Sequence, residues 1–232
     1  MREKGSVVAY DLSLGALLEC RRRAREEPAD GGRLRPVVGD ALALPFRADV
    51  FDAATSRSVL MYVTDRHRVL QELFRVLKPG GRLSICEPIN RVTENPGPWG
   101  GSLDDGEVER DRVRVRRYLE ERSEFVEPMW SFDERDLVCE LVEAGFAPVT
   151  LEYEYHADRR HYTKREAAMY LSIQLIPGTV SYEEAAWAVL GEGASEHLQR
   201  YFDLLVSQSF RIVWALAYLR GTKPGRKSRS PN

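Results

Sequence analysis

Between Ser6 and Glu87 the chain alternates short apolar runs with amphipathic stretches, and the runs end on polar groups. Ser6–Tyr10 is apolar and stops at Asp11. Ser13 then caps an expected helix over residues 14–27, whose early positions Leu14, Leu17, Leu18 and Cys20 are apolar, and Pro28 with Gly31-Gly32 ends it. A strand reaches Val37-Val38 and stops at Gly39-Asp40; another runs Phe51 to Thr55, before Ser56-Arg57-Ser58. Thr64 and Asp65 open a second helix, in which Val69, Leu70, Leu73, Phe74 and Leu77 recur at helical spacing. Lys78-Pro79-Gly80-Gly81 closes it, and residues 82–87 form the next strand. Strand, helix, strand, helix, strand with short links argues for a parallel sheet covered by helices.

Beyond Pro88 the texture changes. Residues 88–108 are rich in Gly and Pro and read as loop, and RDRVRVRRYLEER alternates like a strand at its start but suits a helix at its end. Capping boxes mark three helix starts: Ser131 with Glu134, Thr163 with Glu166, and Ser181 with Glu184. The first places Leu137, Val138, Leu141 and Val142 on one face and stops at Gly145. PVTLEYEYH alternates as a half-buried strand does, and FRIVWALAYLRG is apolar on both faces, as in a strand inside a layered sheet.

Bulk properties narrow the function classes. The 232 residues fit one domain, or one with a sizeable insertion, and a net charge of −2 gives no overall pull towards nucleic acid or an anionic membrane. The longest apolar run, Ile212–Leu219, falls far short of the roughly 20 residues that span a bilayer. Cys20, Cys86 and Cys139 lie far apart without metal-ligand spacing, and read as reduced thiols in a cytoplasmic protein. No metal site is visible. The Arg110–Arg117 run, interleaved and flanked with acids, reads as a solvated face.

In an open parallel sheet, ligands bind outside the carboxyl ends of the strands. A carboxylate there can accept hydrogen bonds from both hydroxyls of a ribose, which suits Asp11. A second carboxylate beside a backbone N–H can read adenine, which suits Asp40 with Ala41; Leu12, Leu42 and Leu44 would wall the base. Singly, such an Asp is more often a cap or turn residue. The ordered set VVAYDLS, VVGDALALPF, FDAATSRSVLMYV and LFRVLKPGGRLSICEP is far more specific.

That set resembles the successive motifs of class I S-adenosylmethionine-dependent methyltransferases of the ubiquinone/menaquinone-biosynthesis type. The likeness is close over residues 6–87 and looser over the helix from Ser131 and the two late strands. It implies an α/β fold, a Rossmann-like doubly wound, mostly parallel sheet with helical insertions, over residues 1–223. Residues 88–130 and 157–207 would be substrate-covering insertions, and 224–232 a disordered basic tail. It implies S-adenosylmethionine as cofactor, held by Asp11, Leu12, Asp40 and Ala41, with Arg57 near its amino-acid end. The partner would be a small-molecule methyl acceptor, with no nucleic acid and no membrane span.

The family's first strand and glycine-rich loop precede the position of Ser6, and that strand sits between those ending at Asp11 and Thr55. The chain is therefore expected to be N-terminally incomplete. Unpaired backbone groups cost on the order of 1–3 kcal/mol each when buried. A fragment, closure of the flanking strands, and a degenerate relative are the three outcomes, the fragment being favoured.

Methyl transfer needs a general base only when the acceptor must lose a proton. His156 and His161 lie beside a late strand, but such histidines are more often structural, and no catalytic residue is assigned. Tyr62, Glu87 and Asn90 are substrate-side candidates by position. Met169, Tyr170, Trp187 and Tyr201 would make an apolar lid or the core of a helical insertion. Two other classes stay open: a non-catalytic remnant serving as a binding or scaffolding protein, and a nicotinamide-dependent oxidoreductase, whose glycine fingerprint is not visible.

Overall fold

The computed structural model describes residues 5–26, 34–93, 103–174, 176 and 178–225. The Gly-rich part of the 88–108 loop and the end of the basic tail lie outside them. Strand β1 (Val7–Asp11), helix α1 (Leu14–Glu26) and β2 (Leu34–Val38) come first, and β1 and β2 pair in parallel as a ladder of their own. A larger sheet has the order β3-β4-β6-β5, from β3 (Phe51–Arg57), β4 (Leu77–Pro88), β5 (Val149–Arg160) and β6 (Phe210–Thr222). β3 and β4 are parallel, while β6 runs antiparallel to both of its neighbours. Among the described residues no ladder joins β1 to β3, so these strands have not closed up on one another.

Helix α2 (Arg66–Val76) is capped by Asp65, whose side chain accepts the Arg68 N–H, and its Val69, Leu70 and Val76 are buried. The Lys78–Gly81 segment is not only a helix stop. It continues the chain directly into β4, with an irregularity where the register passes from Phe51↔Leu77 to Ala53↔Arg82. Gly80 takes φ +82°, a conformation that residues with a Cβ adopt only under strain.

The ambiguous RDRVRVRRYLEER stretch is helical, within α3 (Gly106–Glu120). Its arginine run is not wholly solvated, because Arg112 faces inward, is 2% exposed and pairs with Glu109 at 2.7 Å. After α4 (Val126–Trp130) comes α5 (Glu134–Glu143), whose box lies two residues on from the expected Ser131/Glu134 pair. Asp133 caps it and Asp136 returns the bond, whereas Ser131 ends α4 and donates to the Pro128 carbonyl. Ser and Asp cap about equally well, so the choice follows from Ser131 being taken up as the C-cap of α4. Leu137 and Leu141 are buried, while Val142 of the same expected face is exposed. The other two boxes form as expected, at Thr163/Glu166 of α6 (Lys164–Ser172) and Ser181/Glu184 of α7 (Tyr182–Leu190), before α8 (Ala194–Ser207).

β6 is the inner strand that its apolar sequence demands, with Val213, Ala215, Ala217 and Leu219 buried. β5 departs from the half-buried expectation: as the terminal strand it leaves Leu151, Tyr153 and Tyr155 exposed. Two cores result. One, with Leu70, Leu77, Ile85, Phe132, Phe146 and Leu219, lies on the larger sheet. The other, with Val115, Ala167, Tyr182, Tyr201 and Leu205, joins α3 to α6, α7 and α8. The two segments that interrupt the strand alternation thus pack together as one helical layer. No described helix is long and apolar enough to cross a membrane.

Candidate functional site

Parallel pairing puts the carboxyl ends of β1 and β2 side by side: Asp11 sits opposite Val38, and the Gly39 N–H donates to the Asp11 carbonyl at 3.0 Å. Asp40 follows at once, so both acids occupy one end of one ladder. Each builds a tight turn. Asp11 Oδ1 accepts the Ser13 N–H at 2.8 Å, and Asp40 Oδ1 accepts the Leu42 N–H at 2.9 Å. The turn role and a ligand role are compatible, because a carboxylate has two oxygens and about four acceptor sites. Among the described residues, the second oxygen of neither is engaged. Leu12 is 70% exposed beside Asp11, while Ala41 and Leu42 pack against the main core.

Tyr10, unremarked in the sequence, organises this end. Its hydroxyl donates to the Asp40 carbonyl at 3.0 Å, and its ring lies against Gly39 so closely that a Cβ there would overlap it. Burial, and then the charges of Asp40 and Glu72, hold the phenol above its ordinary value, so it stays a donor. The ring continues edge-on to Phe46 at 5.8 Å and from there to Phe51 at 5.1 Å, bridging the small ladder to β3.

The loop after Asp40 is fastened to α2. Glu72 is 5% exposed and accepts the Leu44 N–H at 2.9 Å; Arg75 donates to the carbonyls of Phe46 at 2.7 Å and Leu44 at 2.9 Å. Arg75 also holds Glu72 at 2.7 Å, and this pairing is the main cause that keeps the Glu72 carboxyl below its usual range. An acid and an arginine three apart on a helix were the available signal, but sequence spacing does not say which loop they would hold.

At the end of β3, Arg57 is exposed and Ser58 takes φ +52°. The following turn is held by Glu87, fully buried at the end of β4. Its carboxylate accepts the N–H groups of Val59, Leu60 and Met61 at 3.0, 3.1 and 3.2 Å. Burial pushes the Glu87 carboxyl up, and those three bonds oppose the shift. Glu87 is therefore committed to the backbone rather than presented to a substrate. Tyr62 packs edge-on against Phe125 at 5.9 Å, and Asn90 donates to the Met129 carbonyl at 3.2 Å, which brings α4 over these strand ends.

The remaining candidates divide. His156 stacks on Trp214 at 3.9 Å, and His161 is exposed. Of the four apolar lid residues, Tyr170 and Tyr201 lie in or against the helical core, whereas Met169 and Trp187 are about half exposed. The structure thus brings Asp11, Leu12, Asp40 and Ala41 to one strand end; no described hydrogen bond links them to Arg57, which ends a strand of the other sheet.

Residues 1–85 match the sequence family described as "Methyltransferase domain". A ubiquinone/menaquinone biosynthesis C-methyltransferase, UbiE, of Yersinia enterocolitica is 32% identical over 157 residues, 64% of this chain and 59% of that protein. A demethylmenaquinone methyltransferase of Clavibacter sepedonicus is 48% identical over 81 residues, 35% of this chain and 31% of its own length. The chain spans less than two thirds of the curated relatives it matches, and only 33% of the UbiE of Roseobacter denitrificans. Among solved structures, a candidate methyltransferase of Bacillus halodurans C-125 superposes with a TM-score of 0.53 at 20% identity, covering 95% of this chain and 84% of the other. The YcgJ protein of Bacillus subtilis gives 0.51 at 13% identity over 94% and 82%. Residues 1–85 thus match a methyltransferase domain in sequence, and most of the chain shares the fold of the Bacillus halodurans structure.

Proposed function

We propose that this chain binds S-adenosylmethionine and transfers its methyl group to a small organic acceptor. The observation that carries the reading is the pairing of Asp11 and Asp40 at one end of the β1–β2 ladder, each with one carboxylate oxygen left over from its turn. Asp11 would hold the ribose hydroxyls, Asp40 and the Ala41 N–H the adenine, and Leu12 the face of the base. Arg57 would approach the amino-acid end.

When bound, S-adenosylmethionine supplies an electrophilic methyl group on a positively charged sulfur. The chain's own part is to hold, align and dry the site, which is most of what an in-line displacement asks of a protein. Tyr10 and the Glu72–Arg75 pair fix the Asp40 turn, and Glu87 fixes the turn beyond Arg57. Residues 88–130 and 157–207 would cover the acceptor. The names of the curated relatives make a quinone-type ring the first acceptor to test. A cytoplasmic setting fits the three free thiols.

The test is calorimetric titration of S-adenosylhomocysteine into the chain, with NADH as control. Binding at micromolar strength, weakened at least about tenfold in Asp40→Ala (about 1.4 kcal/mol), is expected. A folded chain that binds neither compound, or NADH alone, overturns the reading.

A further inference from the structure

β5 is the last strand of the larger sheet. β6 pairs along one side of it from Val149 to Arg160, and no described strand pairs with the other. Its residues from Thr150 to Arg160 are all exposed. A long open edge is a template for another strand, and proteins commonly blunt such edges with charge. This edge carries charge of both signs, in an order complementary to itself.

We propose that two copies of this chain pair antiparallel along β5, about a two-fold axis through Ala157. A two-fold axis normal to a sheet keeps each residue on its own face, and it sets residues equidistant from the axis opposite one another. With the axis at Ala157, His156 faces Asp158, Tyr155 faces Arg159, and Glu154 faces Arg160, each pair occurring twice. Every flanking pair therefore joins an acid to a base or an aromatic ring to a guanidinium, the combinations that stabilise cross-strand neighbours. The residue on the axis is small and meets only its own copy.

Neighbouring registers lose this match. Moving the axis to His156 sets Glu154 against Asp158, and moving it to Asp158 sets that carboxylate against itself. Charge order thus selects one alignment, where an apolar edge would slip. The side chains concerned have partners within the chain but stay accessible at the edge: His156 stacks on Trp214 at 3.9 Å, Asp158 Oδ1 accepts the Arg159 N–H at 2.7 Å, and Arg160 lies over the Tyr162 ring at 5.2 Å. Glu154 is 3.6 Å from His156 and Arg160 is 3.6 Å from Glu166, in pairs about half exposed. Arg159 keeps one donor on the Ser209 carbonyl at 3.2 Å.

The test is sedimentation of the full chain over micromolar to submillimolar concentrations. A concentration-dependent dimer is expected, weakened by added salt. Glu154→Arg alone and Arg160→Glu alone each place like charges in both outer pairs, and each raises the dimer dissociation constant at least about tenfold. Mixed one to one, the two variants put opposite charges in every outer pair, so a heterodimer of near wild-type affinity forms. Asp158→Lys mixed with His156→Glu repeats the exchange on the inner pairs, should loss of the Arg160–Glu166 contact unfold the first set. A wild-type chain that stays monomeric, single variants that dimerise unchanged, or folded mixtures that do not associate overturn the proposal.

Discussion

Arg75 holds Glu72 at 2.7 Å while donating to the carbonyls of both Leu44 and Phe46. One guanidinium therefore closes a buried carboxylate and the loop that follows Asp40 in a single fork, a geometry an ammonium group cannot reproduce. Arg75→Ala leaves Glu72 charged and poorly compensated, and Arg75→Lys recovers only part of the loss. The expected cost is about 1–3 kcal/mol in urea unfolding, reduced from the fully buried case because the Arg75 side chain is 36% exposed. Faster hydrogen exchange of the amides from Leu42 to Phe46 should accompany it. Because the Glu72 carboxyl is depressed, its contribution is present above the ordinary carboxylate range and is lost as pH falls through the lower folded value.

Glu87 gives the opposite pH sign. Its folded carboxyl keeps a proton to higher pH than in the unfolded chain, so the folded state binds more protons in that window and stability falls as pH rises through it. Glu87→Gln removes this slope. It also leaves one oxygen for the Val59 and Leu60 N–H groups and sets an amide N–H₂ against the Met61 N–H, at a cost of about 1–3 kcal/mol. Thermal melts of both proteins across the acid-to-neutral range check both parts.

The helical layer should respond to acid through His197. The ring is 4% exposed, Nε2 is 2.8 Å from the Tyr182 hydroxyl, and Nδ1 has no partner among the described residues. Burial pulls the imidazole below its ordinary 6.5, with Arg200 adding to that shift and Asp111 opposing it. The unfolded chain then takes the proton first, so stability is lost as pH drops below that value. Exchange protection in α7 and α8 should fall between neutral and mildly acid pH. His197→Gln should abolish that change while the amides of β4 and β6 stay as they were.

Most of the sheet, and the place of Asp11 and Asp40 at neighbouring strand ends, were legible, because strand ends, helix periods and turn residues are local signals. Asp11 and Asp40 are read from their place after apolar runs, and α2 from Val69, Leu70 and Leu73. What escaped depends on distant partners. Nothing near Arg112 says that it turns inward to Glu109, nor that the clamp on the Asp40 loop comes from α2. The α5 cap was misplaced from Asp133 to Ser131 because both are good capping residues two positions apart, and only the chain's path out of α4 decides between them. The exposure of Tyr153 and Tyr155 was hidden for a related reason: alternation reports a pleat, not what lies over it.

The small ladder carries Asp11 and Asp40, whereas Arg57 stands on the larger sheet, and the two are stitched by the Asp40 loop and the Tyr10–Phe46–Phe51 rings rather than by strand pairing. The described parts of β1, α1 and β2 are therefore expected to open below the free energy of global unfolding, which native-state hydrogen exchange would show. A ligand gripped from both sides would raise that opening energy by RT ln(1 + [L]/Kd). Occupancy would then be recorded not only where the ligand touches but in the exchange lifetimes of every amide from Val7 to Val38 that the structure describes, so the segment would behave as a built-in reporter of saturation.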